Sequence, residues 1–431
     1  MQVSVEAGEG LERRMKIDLP FEQIAVEVEK RLQQFARNAR LPGFRPGKVP
    51  MKLLQKRFGE RVYHEVFGEM VQSSFVDALE RESLQPAGMP QIEPEIDLEG
   101  QKVGFTAIFE VMPEFELAAL SGRVVKRPVC ELKDDDFDTM MLRLREQRKT
   151  WDTVDRPCQP GDRVEVSFAG TLDGEAFEGG SASGLQIELG SGRMIPGFED
   201  GLVGMAPGEE RALDLTFPES YQATHLAGKQ ARFEVTLTVV EEPRLPEVDA
   251  EFARSFGIED GDVERFTSDV KANMERELAD RVQDRTKEAV MDLLLEANQI
   301  QLPKALVQSE AESMAEQMTK RFGGGKLELP HTLFETGARR RVALGLILGK
   351  IIKEQGLVAD PQRVRSLIEQ MAATYDQPQA FIDYHYRDRE RLGAVESRVL
   401  EDLVVEYVLG QVEVEDEAVD FAALTSNSQL A

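Results

Sequence analysis

The chain has 431 residues, 41% of them hydrophobic, and its 79 Asp/Glu outnumber 52 Lys/Arg to give a net charge of −27. That length exceeds what one ordinary core organises, and a prior of about 150 residues per domain predicts roughly three domains. An acidic surface repels polyanions in general, which argues against DNA as a partner, and the longest apolar run, residues 342–352, is far shorter than the roughly 20 residues a membrane span needs.

The chain opens Met1-Gln2-Val3-Ser4-Val5-Glu6, without the basic and apolar regions of a secretory signal, so a cytoplasmic location is expected. Phe21, Ile24, Val28, Leu32, Phe35 and Ala39 recur at helical spacing, predicting an amphipathic helix that ends before Pro42-Gly43. Next comes Gly43-Phe44-Arg45-Pro46-Gly47-Lys48-Val49-Pro50, inside a window, residues 30–61, that holds ten Lys/Arg and one acid. Such segregation in an acidic chain marks a docking surface for phosphate or for acidic protein groups. Phe67, Val71, Phe75 and Ala78 predict a second helix, and residues 103–111 alternate like a strand, so residues 1–112 form an α+β unit.

Asp134-Asp135-Asp136 opens a helical segment that closes on Arg143, Arg145, Arg148 and Lys149, complementing the helix dipole at both ends. From Trp151 short alternating strands take over: Val164/Val166/Phe168, Leu185/Ile187/Leu189, Leu213/Leu215/Phe217 and Phe233/Val235/Leu237/Val239, separated by Gly-containing turns. Beyond Pro243 and Pro246 the pattern is helical to about Gly410, with boundaries at Pro303, Pro330, Pro361 and Pro378. The last 21 residues carry five acids and no base, predicting a frayed tail. Cys130 and Cys158 have no metal-ligand spacing and are expected to stay thiols, and Gly323-Gly324-Gly325-Lys326 lacks the spacing of a phosphate loop. No metal or cofactor is expected.

Residues 160 to 240 resemble the FKBP-type peptidyl-prolyl isomerases. The matching text is Pro160-Gly161-Asp162, Phe168-Ala169-Gly170, Asp173-Gly174 with Phe177-Glu178, Leu189-Gly190, Ile195-Pro196-Gly197-Phe198-Glu199, Gly201-Leu202-Val203-Gly204-Met205 and Gly208-Glu209. The resemblance implies a pocket built from Phe168, Phe177, Glu178, Leu185, Met194, Ile195, Phe198, Tyr221 and Phe233, with the Ile195 N–H and the Tyr221 hydroxyl as donors to substrate. Apolar lining suits a reaction that twists an amide without moving a proton. His225, in a turn-like stretch, is expected to be solvated.

The octapeptide at Gly43 and the order of the segments resemble the trigger factor family of bacterial ribosome-associated chaperones over essentially the whole chain. That resemblance implies ribosome binding through Gly43, Phe44, Arg45, Pro46, Gly47 and Lys48, with a ribosomal protein and ribosomal RNA at the exit tunnel as partners, together with unfolded nascent polypeptides. It also implies ATP-independent holding, a link to cell division and scope for self-association off the ribosome. The expected fold is multidomain α+β. It comprises an α+β docking domain over 1–112, a linking segment over 113–149 packed with the C-terminal body, an FKBP-like antiparallel β domain with a short helix over 150–243, and an all-α chaperone domain over 244–431. Apolar positions of that last domain, Phe252, Phe256, Phe266, Met274, Met291, Met314, Met318, Phe322, Phe334 and Met371, are mostly core, with a minority exposed to clients. A competing reading is a ribosome- or RNA-binding assembly factor whose FKBP-like domain only binds.

Overall fold

The computed structural model describes residues 2–38, 51–97, 102–172, 174–223, 225–321, 329–373, 375 and 377–426. They form two compact units, residues 1–128 with 284–417, and residues 129–283 with 418–431.

In the first unit, β1 (Gln2–Ala7), β2 (Glu12–Leu19), β3 (Gln91–Asp97) and β4 (Lys102–Glu110) make an antiparallel sheet of order β1-β2-β4-β3. Alternation decides its faces. Met15, Ile17 and Leu19 on β2, and Val103, Phe105, Ala107 and Phe109 on β4, all point into one core. Helices α1 (Phe21–Asn38) and α2 (Met51–Glu82) cover that face, burying Ile24 and Leu32 from α1 and Val62, Val66, Phe67, Val71, Phe75 and Ala78 from α2. The Phe75 ring meets Phe109 edge-on at 5.2 Å, joining helix to sheet. Pro94 sits on β3, an edge strand, where its missing N–H costs no ladder bond.

β5 (Val124–Val129) and α3 (Asp134–Gln147) follow. Three aspartates in the first turn of α3 face the N-terminal partial positive charge of the helix. In the second unit, β6 (Thr150–Val154), β7 (Arg163–Leu172), β8 (Glu175–Glu188), β9 (Glu210–Thr216) and β10 (Gln230–Arg244) form a five-stranded sheet, with β10 bonded to β6, β7 and β9. Short helix α4 (Phe198–Leu202) drops Phe198 and Leu202 onto Val164, Val166, Phe233, Val235 and Leu237. Cys158, buried, donates its thiol to the Leu202 carbonyl and ties the chain to the end of α4; Cys130 is the other free thiol.

Prolines mark several of the helix starts. α5 (Ala250–Ser255) and α6 (Val263–Ala297) lead to α7 (Lys304–Arg321), just after Pro303, and a 3-10 turn (His331–Phe334), just after Pro330, runs into α8 (Glu335–Gln355). Pro361 opens α9 (Pro361–Ala372) and Pro378 opens α10 (Pro378–Tyr386), before α11 (Arg389–Leu409). In the first unit Phe115, Leu117, Leu120 and Val125 pack with Leu294, Ile347, Ile351, Val404 and Val408. In the second, Met141 and Leu144 of α3 meet Phe252, Phe256 and Phe266.

Two expectations are corrected. The tail is ordered to Ser426: β11 (Glu413–Ala418) pairs with β5, and α12 (Phe421–Ser426) buries Phe421 and Leu424 against Met274 and Leu278. Its order comes from the β5 pairing and the burial of Phe421 and Leu424, while its acids are partly met by exposed pairs of Arg127 with Asp416 at 2.8 Å and of Lys133 with Asp420 at 3.1 Å. Nor do the named helical apolar residues supply an exposed set. Phe252, Phe266, Met274 and Met291 are buried, Phe256, Met314, Met318, Phe334 and Met371 are half-buried, and Phe322 lies outside the described residues. Flexible Met side chains fill gaps between helices. Among the described residues from α5 to α11, the large apolar groups exposed are instead Leu333, Val358, Tyr375, Tyr384 and Tyr386.

Candidate functional site

Across β7 and β8 the pairing runs Ala169 to Ser181 and then Thr171 to Ala176, so residues 177–180 of β8 bulge opposite the single residue Gly170. The bulge turns Phe177 inward and leaves Glu178 at the rim. It closes because two positions lack a side chain: a Cβ on Gly170 would come within 2.6 Å of Phe233 Cε1, and one on Gly180 within 2.8 Å of Phe177 Cζ.

Phe233 is the hub. Its ring meets Phe168 at 5.9 Å, Phe177 at 6.2 Å, Phe198 at 5.7 Å and Phe217 at 6.3 Å, mostly edge to face. Over this floor lies a cavity of about 200 Å³. Phe198, Phe217 and Phe233 are buried beneath it, Phe168, Phe177, Met194 and Ile195 form half-buried walls, and Glu178, Tyr221 and His225 stand exposed at the mouth.

The cavity thus gathers every residue predicted for it except Leu185. That side chain pairs with Val166, beyond a second register shift at Ser183-Gly184, and lies outside the lining at 37% exposure. Phe217, Gly179, Ala223, His225 and Leu226 line the cavity without having been predicted. Phe217 was legible only as the last apolar position of a strand. It joins the site because residues 217–229 fold back on themselves, Phe217 and Gly228–Lys229 exchanging backbone bonds of 3.0 and 3.2 Å.

Polar groups brace the wall. The buried Asp162 carboxylate takes two bonds from Arg156, at 2.6 and 3.0 Å, and one from the Gln159 N–H at 2.8 Å, while its backbone joins Leu189 at the end of β8. The Arg156 guanidinium is held charged above its already high ordinary value by hydrogen bonds to Asp162 and Glu242. Glu199, buried on α4, accepts from the N–H groups of Gly190, Gly192, Arg193 and Met194 and from the Ser191 hydroxyl. Burial is the largest single influence and pushes its carboxyl up. The donors, chiefly Gly192, Met194, Gly190 and Ser191, together outweigh burial and hold the carboxyl below its ordinary value. Among the described residues the Ile195 N–H and the Tyr221 hydroxyl have no hydrogen-bond partner.

The predicted docking residues, Gly43, Phe44, Arg45, Pro46, Gly47 and Lys48, lie outside the described residues, as does Gly323–Lys326. Just beyond the octapeptide, the first turns of α2 carry exposed Lys52, Lys56 and Arg57, which form no ion pair among the described residues. Arg31, in contrast, is spent on a two-bond pair with Glu69 that ties α1 to α2. No group of three or more His, Cys, Asp or Glu able to hold a metal occurs among the described residues, and no described helix is long and apolar enough to cross a membrane.

Comparison with known proteins gives three family matches along the chain. The family described as bacterial trigger factor protein matches residues 1–144, its C-terminus matches 262–410, and FKBP-type peptidyl-prolyl cis-trans isomerase matches 154–238. A trigger factor of Stutzerimonas stutzeri (strain A1501) is 47% identical over 423 residues, covering 98% of this chain and 97% of that one. Another, from Thioalkalivibrio sulfidiphilus (strain HL-EbGR7), is 47% identical over 426 residues and covers 98% of each. With near-complete coverage at that identity, the chain belongs to the trigger factor family, ribosome-associated bacterial chaperones that carry an FKBP-type isomerase domain.

Proposed function

We propose that this chaperone isomerises X-Pro bonds of nascent chains in the Phe233-centred cavity while held at the tunnel exit by its basic octapeptide. The observation that carries the reading is the pocket's construction: five phenylalanines, three beneath and two in the walls of a small, largely apolar cavity, with two unpaired donors at its wall and mouth. At about 200 Å³ the cavity is smaller than the 300 Å³ or more typical of drug-sized ligands, a size suited to a single ring rather than a whole peptide.

Rotation about an X-Pro bond loses amide resonance, an uncatalysed barrier of about 18–20 kcal/mol, without forming a covalent bond. Phe198, Phe217 and Phe233 seat the pyrrolidine ring. An apolar surround favours the twisted amide, which is less charge-separated than the planar one, and the Ile195 N–H and Tyr221 hydroxyl bond to substrate carbonyls. Glu178 orients the chain at the mouth. Isomerisation here needs neither metal nor nucleotide.

For docking, Phe44 serves as apolar anchor to a ribosomal protein, and Arg45 and Lys48, extended by Lys52, Lys56 and Arg57, contact ribosomal RNA. The working division is 1–112 for docking, 113–149 as link, 150–243 for isomerisation and 244–431 for client holding, in the cytoplasm. A proline-limited refolding assay tests the enzyme reading. Catalytic acceleration by the full chain is expected, and an unchanged slow phase at micromolar chain would leave the domain a binding module.

A further inference from the structure

Between β8 and α4 the backbone N–H groups can be followed one by one. Gly190, Gly192, Arg193 and Met194 donate to the Glu199 carboxylate at 2.9, 3.0, 3.0 and 3.1 Å, and Ser191 donates its N–H to the Glu188 carbonyl at 3.2 Å and its hydroxyl to Glu199 at 3.2 Å. Left-handed glycines at 190 and 192, with φ of +93° and +67°, curl the segment so that its donors converge, as in an anion-binding nest. Here the anion is the chain's own side chain. The first N–H beyond this series is that of Ile195, at the cavity wall and unpaired among the described residues, while its carbonyl accepts from Phe198 at 3.0 Å.

We propose that Glu199 is a positioning residue of the isomerase site, its carboxylate fixing residues 190–194 so that the Ile195 N–H is presented, already oriented, to the carbonyl of the twisting substrate. Neighbouring residues of α4 thereby set both parts of the site: Phe198 lies in the floor and Glu199 holds the wall. Preorganisation matters because a donor that must be reoriented during bond rotation gives back part of what it contributes. A carboxylate collecting several donors is also stiffer than separate turn bonds, since its two oxygens make one rigid body. Glu199 itself touches no substrate.

The inference rests on the isomerase reading, and the experiment separates the two. Wild-type chain, Glu199→Gln and Ser191→Ala, each full length, are assayed on a chromogenic Xaa-Pro tetrapeptide with kcat and KM determined separately, and amide shifts are followed by NMR. For Glu199→Gln a kcat lower by about tenfold or more is expected, since small misplacement of a reacting group costs up to about 10²-fold, with KM within about twofold because the aromatic floor still seats the ring. The Gly192 and Met194 amide protons, shifted downfield by a charged acceptor, move upfield while the Val166 and Leu237 amides stay in place. Ser191→Ala, which removes one exposed donor, lowers kcat about two- to threefold. A Glu199→Gln kcat within twofold of wild type, or kcat and KM impaired together, overturns the proposal. Should that variant fail to fold, Ser191→Ala at wild-type kcat overturns it alone. Inactive wild-type chain would refute the isomerase reading instead.

Discussion

Gly170 lies directly beneath the edge of the Phe233 ring, so close that a methyl group at position 170 would fall 2.6 Å from Cε1 and 2.9 Å from Cδ1. The hub of the aromatic floor is therefore seated on a bare stretch of β7, and the bulge of β8 fits only because that stretch is bare.

Gly170→Ala is expected to displace Phe233 and cost the FKBP-like domain about 1–3 kcal/mol, the usual penalty for overpacking. Trp151, the single tryptophan, lies on β6 between Lys149 and Arg163, so its fluorescence reports unfolding of this domain during urea titration. An unchanged midpoint would mean that the ring slides aside freely.

Tyr221→Phe should leave the fold alone, because the ring stays on Phe217 at 4.8 Å and the hydroxyl has no partner to lose among the described residues. Loss of a neutral hydrogen bond worth about 1 kcal/mol in the transition state predicts a kcat/KM about fivefold lower on Xaa-Pro peptides. Equal rates would remove the hydroxyl from the mechanism.

Acid stability should carry the signature of Glu199. Its carboxyl is held below the ordinary value of 4.5 in the folded chain, so between the two values the unfolded chain binds more protons. The stabilisation is complete above pH 4.5 and drains away as pH falls through the lower folded value. Glu199→Gln should thus be less stable than wild type at pH 7, with the gap closing below pH 4.5. Glu209, also held low, first by the Ala206 N–H and then by Arg211, keeps its own acid dependence in both proteins. A gap constant from pH 7 to pH 3 would contradict this.

Ribosome association should vanish in Phe44→Ala/Arg45→Ala with circular dichroism unchanged, as read by co-sedimentation. If Arg45 and Lys48 meet RNA phosphates, replacing both with Ala should reduce the slope of log affinity against log salt by roughly 1.5.

Phe421→Ala empties the seat of α12 on Met274 and Leu278, and burial of that ring predicts a local cost of about 3–5 kcal/mol. Hydrogen exchange should quicken in α12 and in residues 130–140 while β7 and β10 keep their protection.

Residue patterns alone were enough for several helices and for part of the strands, though not for β1, β2 or β3. Helical spacing gave the Ile24–Leu32 and Phe67–Ala78 faces, alternation gave β4, β7 and β10, and prolines gave the starts of α7, α9 and α10, because these signals are local and repeat within a few residues. β11 escaped, since all six of its positions are exposed and no alternation exists to read. Its order depends on pairing with β5, where Arg127 meets Asp416 from 289 positions away in sequence. Apolar exposure in the helical region was misplaced for a related reason: hydrophobicity says that Met274 or Tyr384 can be buried, and only neighbouring helices determine which one is.

At the site the division is sharper. Sequence by itself determined the family, the aromatic set and the basic octapeptide, because those reside in residue identity and order. Tertiary structure alone decided that Leu185 stands apart while Phe217 and His225 join the cavity, that Gly170 must be bare, and that Glu199 turns inward to collect the 190–194 donors. Each of those depends on a register shift or on the direction of a backbone N–H, and both are fixed by where the chain meets itself rather than by any residue read alone.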